Sequence, residues 1–113
     1  MAFLINLYNS MVIHAIIEDL LPEKEATSTT ARLTMYATAS YNIGGMIYSL
    51  NDVENGLLRR NMQSAVPMTS PPFGSRDPRR AHMVAKVDPR IHFALNCGAE
   101  SCPPIAVYEA KYL

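Results

Sequence analysis

Cys97 and Cys102 lie five positions apart near the end of the 113-residue chain, and His92 lies five positions before the first of them. A thiolate is the strongest nucleophile that side chains offer near neutral pH, and it needs a base or a positive field to form. His92 is the nearest such base in sequence, and backbone amides at 98–101 offer a nest for an anion. One set of roles follows. Cys97 is the nucleophile, His92 or His14 the base, Cys102 a resolving second thiol, and Asn9 or Asn96 the orienting amide. Such a set suits hydrolysis, group transfer or redox exchange on a peptide, thioester or thiol. Three other readings compete with it. Cysteines also serve as small buried hydrophobes. A disulfide across the four intervening residues is geometrically open. A zinc clip would draw on Cys97, Cys102, His92 and either His14 or His82, but the paired Cys-x2-Cys or His-x3-His spacings of zinc sites are absent.

The elements that would carry these residues can be read from pattern. Phe3, Leu4, Leu7, Met11, Ala15 and Leu20 recur at spacings of three and four, which predicts a helix over 2–21, apolar nearly all round and therefore central. Asn6, Asn9 and His14 interrupt it. Buried polar groups must find partners, so they are expected to bond loop backbone and pin an irregular segment. The sharper alternative sets His14 or Asn9 beside Cys97. Residues 22–40 read as a polar connection with a short helical piece near 31–37. "YNIGGMIYS" (41–49) reads as a β-hairpin turning at Gly44-Gly45. Ser49 and Asp52 make an approximate capping box for a following helix that buries Val53, Leu57 and Leu58. Asn51 reads as a capping group, and Glu54 as a partner for an arginine of the basic stretch beyond. Residues 64–80 hold four prolines and form a long irregular loop. In "VDPRIHFALNCG", Asp88 suits a cap, Pro89 the first turn and Gly98 the position just past the end. A helix there puts His92 and Asn96 on one face, and so does the competing strand reading.

Composition narrows the function classes. A formal net charge of zero gives no general pull toward nucleic acid or anionic membrane. Five basic residues between 76 and 90 are offset by Asp77 and Asp88, and only Phe73 and Phe93 interleave with them, so nucleic-acid binding is disfavoured. No apolar run reaches membrane-span length. The N-terminus lacks the basic region and cleavage site of a signal peptide, which points to a cytoplasmic protein whose cysteines are thiols. The expected partner is a peptide or protein. Neither a cofactor nor a metal is called for.

Three blocks, "FLINLYNSMVIHA" (3–15), "YNIGGMIYSLNDVENGLLR" (41–59) and "DPRIHFALNCGAESCPP" (88–104), resemble the family known as domain of unknown function 547, in the same order and with "PPFGSRDPRR" (71–80) between them. The resemblance implies an α+β fold. The chain is expected to be a small mixed domain spanning 1–113, with a buried N-terminal helix, a β-hairpin and a long Pro-rich loop, and incomplete at both ends. Members of the family occur alone, behind coiled coils, or joined to glutaredoxin-like and DEP domains. The coiled-coil fusions imply an alternative function, a non-catalytic protein–protein interaction module. The chain departs from the family pattern at Leu4, where tryptophan is usual, and at Met46 and Asn55, where many members carry histidine.

Overall fold

The computed structural model describes residues 1–18, 29–64, 70–98 and 101–113. The expected connection at 22–28, the end of the first helix at 19–21 and part of the Pro-rich loop at 65–69 lie outside the described residues. Helix α1 runs from Ala2 to Ile17 and α2 from Thr29 to Thr38. Strands β1 (Ser40–Ile43) and β2 (Met46–Ser49) form an antiparallel hairpin in which Tyr41 faces Tyr48. A π-helix spans Asp52–Leu58, and short 3-10 turns cover Pro78–His82, Pro89–Phe93 and Ala110–Tyr112. The result is a small α+β domain.

The turn and box signals act where expected, whereas Asn51, read as a capping group, makes no side-chain cap bond and accepts from Asn55 Nδ2 instead. Gly44 and Gly45 take φ of 62° and 90°, the left-handed region a two-residue hairpin turn demands. The Asn42 carboxamide steadies the turn by accepting from the Gly45 amide at 2.9 Å. The capping box closes in both directions. The Ser49 amide donates to Asp52 Oδ2 at 2.9 Å, and the Asp52 amide donates to Ser49 Oγ at 3.1 Å.

Helix α1 departs from expectation in one respect. It buries a stripe of Ile5, Tyr8, Asn9, Met11, Val12 and Ala15 against the core but leaves Phe3, Ile13, Ile16 and Ile17 exposed. Its apolar residues encircle it, yet the described elements cover one side. Val53, Leu57, Leu58, Leu50, Phe73 and Ile91 complete the core.

The helix after the hairpin is wider than an α-helix. The Arg59 amide bonds the Glu54 carbonyl and the Asn61 amide bonds Gly56, each five residues back. Gly56 lies under the Phe73 ring, where a β-carbon on residue 56 would lie 2.5 Å from Cε2 and touch Cζ as well. Phe73 cannot easily retreat. Its amide donates to Asn61 Oδ1 at 2.7 Å and its carbonyl accepts from Asn61 Nδ2 at 2.8 Å. Asn61 itself sits at φ 62°, a left-handed conformation that asparagine tolerates.

Three asparagines use the same device. A carboxamide offers one donor and one acceptor side by side, and so can serve both backbone groups of a segment that lacks a strand neighbour. Asn61 does this for Phe73. Asn6 does it for Tyr108, donating to its carbonyl at 2.8 Å and accepting from its amide at 2.9 Å. Asn9 donates to the Ala94 carbonyl at 3.0 Å and accepts from the Asn96 amide at 2.9 Å. Asn6 and Asn9 of α1 therefore tie the C-terminal part of the chain to the core.

Arg79 braces the loop that leads back to the hairpin. It bonds Asp77, Asp52 and the Ile47 carbonyl, and its guanidinium lies 4.5 Å from the Phe73 ring centroid. The arginine of the basic stretch thus pairs with Asp52, not with Glu54 as the sequence suggested. Hydrogen bonds from Arg79 hold the Asp77 carboxyl below its usual range, and those from Arg90 hold Asp88 down to about 2. A carboxyl with a depressed folded pKa stabilises the fold fully above the ordinary value of about 3.9, and that contribution is lost as pH falls through the folded value. Asp77→Asn is therefore expected to lower the melting temperature at neutral pH and to shrink the further drop between roughly pH 4 and pH 2. Melting curves across that range check this, and an undiminished acid drop would count against it.

Tyr8 supplies a second test. Its side chain is wholly buried, and its hydroxyl has no hydrogen-bond partner among the described residues. A buried, unpaired hydroxyl costs about 1–3 kcal/mol. Tyr8→Phe is expected to leave stability unchanged or to raise it by up to about 1 kcal/mol. A clear loss in urea unfolding would show that the hydroxyl has a partner.

Candidate functional site

The thiol loop is built outward from Asn9. Asp88 caps the turn at 89–93 by accepting from the Arg90 amide at 3.0 Å, with Pro89 in the first position, as the sequence indicated. Neither the α-helix expected to end just before Gly98 nor the competing strand forms among the described residues; only a 3-10 turn over Pro89–Phe93 does. In an α-helix the Ala94 carbonyl would accept from the Gly98 amide and the Asn96 amide would donate to the His92 carbonyl. Asn9 takes both groups instead. The turn ends at Phe93, and the chain leaves Ala94 and Leu95 in the core while Cys97 emerges on the surface.

Asn96 then shapes the loop that follows. Its Oδ1 accepts from the Gly98 amide at 2.8 Å and its Nδ2 donates to the Pro103 carbonyl at 2.9 Å, so one side chain ties the start of the loop to its end. Gly98 takes φ +86°, a conformation other residues adopt only under strain, and a β-carbon there would lie 3.6 Å from Ile16 Cδ1. Inside this closure the sulfurs of Cys97 and Cys102 lie 2.9 Å apart. The Cys97 amide also points at Cys102 Sγ, 3.3 Å away. Cys97 is exposed and Cys102 half-buried.

The structure therefore groups Cys97, Cys102 and Asn96, with Asn9 beneath them. The histidines stand elsewhere. His14 turns toward the hairpin, with Nδ1 2.9 Å from the Tyr41 hydroxyl and Nε2 3.8 Å from Glu18. His92 lies on the exposed side of its turn, and the Asn96 carboxamide expected to share its face is spent on Gly98 and Pro103. His82 is exposed at the end of another turn. Among the described residues no three of His, Cys, Asp and Glu converge as a metal site would require.

One polar cluster escaped the sequence reading. The Tyr36 hydroxyl donates to Glu54 Oε2 at 2.9 Å, Asn55 Nδ2 lies 2.7 Å from the Tyr36 hydroxyl and 2.8 Å from Asn51 Oδ1, and Arg59 donates to Asn55 Oδ1 at 2.6 Å. Burial first, then the charge of Glu54, pushes the Tyr8 and Tyr36 phenols well above the usual tyrosine range. A charge on Cys97 acts on both in the same sense, so the cluster sits within electrostatic reach of the thiol loop. The only hint in the sequence was Glu54 and Asn55 beside a leucine-rich helical face.

The family described as Protein of unknown function, DUF547, matches residues 1–113. The chain belongs to the DUF547 family. No curated protein and no solved structure matches it. The three positions expected to differ from the family pattern fall in two places. Leu4 and Met46 line one cavity of about 400 Å³, with Leu7, Tyr48 and His82. Asn55 lies in the buried polar cluster, its carboxamide fully taken up by Tyr36, Asn51 and Arg59. Among the described residues no helix is long and apolar enough to cross a membrane.

Proposed function

We propose that this DUF547 chain is a thiol–disulfide exchange module in which Cys97 and Cys102 alternate between dithiol and disulfide on a peptide or thiol partner. The observation that carries the reading is the 2.9 Å approach of the two sulfurs, one exposed and one half-buried, in a loop closed by Asn96. Exchange needs an accessible sulfur and a second within reach of it, and proceeds through a mixed disulfide. Hydrolysis or acyl transfer by cysteine needs an imidazole or other base poised at the nucleophile. Support for that variant is thinner, because His14 is engaged with Tyr41 and His92 faces solvent. Asn9 and Asn96 then act as positioning residues, setting the backbone on either side of Cys97.

The test is intact-mass measurement of the folded chain after treatment with oxidised glutathione and then N-ethylmaleimide. The expected result is loss of both alkylation sites with no glutathione retained, reversed by reduced glutathione. A chain that keeps two alkylatable thiols, or holds glutathione on each, would defeat the proposal and leave the interaction-module reading.

A further inference from the structure

We propose that the cavity between α1, the hairpin, the π-helix and the turn at Pro78–His82 binds a small, uncharged aromatic molecule that carries one hydroxyl. The inference stands apart from the thiol chemistry and goes beyond it. The cavity measures about 400 Å³. That lies inside the roughly 300–1,000 Å³ range of ligand pockets and well beyond the roughly 150 Å³ that admits one benzene ring. Its walls are held by contacts of their own. Ile5, Tyr8 and Val12 seat α1 in the core. Arg79 ties the turn to the hairpin through the Ile47 carbonyl at 2.7 Å and Asp52 at 3.0 Å. The Val84 amide donates to the Leu57 carbonyl at 3.1 Å and fixes the chain beyond the turn to the π-helix. The site is therefore formed before a ligand arrives.

The lining sets the chemistry of the ligand. Phe3 and Tyr48 contribute rings and Met1 and Met46 thioethers, and both kinds of group favour an aromatic occupant. Phe3 is exposed although it lines the cavity, so a ligand ring would cover it. Among the described residues no Asp, Glu, Lys or Arg lines the cavity. A charged ligand would leave water and meet no opposite charge, so the walls complement an uncharged one. His82 supplies the polar contact, at the end of its turn. A 3-10 turn has three residues per turn, so His82 shares the face of Arg79, which points at the hairpin. A neutral imidazole keeps one acceptor nitrogen, which suits a ligand hydroxyl. A stable protein interface buries about 800 Å² on each partner, far more than the lining of one such cavity, so the occupant is a small molecule.

The probe is 2-naphthol, titrated into the folded chain by calorimetry, with the Met46 methyl group followed by NMR. One equivalent is expected to bind with a dissociation constant below about 1 mM and to shift that methyl signal. Naphthalene-2-carboxylate should bind at least about tenfold more weakly, because its charge finds no partner in the walls. His82→Ala should weaken 2-naphthol by roughly three- to tenfold and leave 2-methoxynaphthalene, which cannot donate, unchanged. Leu4→Trp fills the cavity, so it should abolish binding while the melting temperature holds or rises. Absence of saturable binding overturns the assignment, as does a carboxylate that binds as well as the naphthol. Binding that survives in a folded Leu4→Trp chain places the ligand elsewhere and also overturns it. Equal losses for both naphthyl ligands in His82→Ala, or none, refute the hydroxyl contact. N-acetyltryptophanamide binding as tightly as 2-naphthol would assign the cavity to a partner's side chain instead.

Discussion

Gly56→Ala is expected to destabilise the domain by roughly 3 kcal/mol or more, the upper range for a core that is forced to take extra atoms. The added carbon would meet the Phe73 ring at 2.5 Å, far inside ordinary contact. Relief requires the ring to move, and the ring is held from two sides. Asn61 bonds both backbone groups of Phe73, and Arg79 lies over the ring while tied to Asp52 and Asp77. Displacing Phe73 would therefore disturb the brace between the Pro-rich loop and the hairpin as well as the core. Alanine has the better helix propensity, so a rule based on propensity alone predicts stabilisation. The two expectations have opposite signs, and equilibrium urea unfolding separates them. A double variant with Phe73→Leu should recover part of the loss if the ring is the cause.

Asn9→Ala is the second large effect, and it reaches the thiols. The substitution leaves the Ala94 carbonyl and the Asn96 amide without their partner in a buried setting. At about 1–3 kcal/mol for each of the two orphaned groups, a loss of about 2–6 kcal/mol is expected. Asn9→Asp should fail differently, because a carboxylate can accept from the Asn96 amide but cannot donate to Ala94. The functional consequence is separate from stability. Residues 94 and 96 set the point at which Cys97 leaves the core, so the variant should close its internal disulfide more slowly under conditions where it is still folded. Asn6→Ala makes a useful control. It removes a similar clasp at Tyr108 but leaves the Cys97 segment anchored.

What the sequence revealed, and what it hid, follows from the range of the interactions. The Gly44-Gly45 turn, the Ser49–Asp52 box and the Asp88-Pro89 start are each decided within four residues, and pattern reading finds them. The early end of the helix at Phe93 is decided by Asn9, more than eighty positions away, and no local signal announces it. The apolar face of Val53, Leu57 and Leu58 marked a helix correctly. The same spacing cannot distinguish an α-helix from a π-helix, and a π-helix forms here. At the site, the cysteines and Asn9 stood out by type and burial. The positions of His14 and His92 relative to the sulfurs did not, because a histidine can face any of several neighbours. The Tyr36, Glu54, Asn55 and Arg59 cluster was hidden for a similar reason: its members come from α2 and the π-helix with its trailing turn, and they look like ordinary surface polar residues one at a time.

The central claim is that folding makes one exchange unit of the sulfurs at positions 97 and 102. The rate at which the Cys97 mixed disulfide with glutathione collapses to the internal bond measures this directly, in native buffer and in concentrated urea at the same pH. Held geometry should make closure at least roughly tenfold faster in the native chain. Equal rates, or faster closure in urea, would mean that the fold does nothing to pair the thiols.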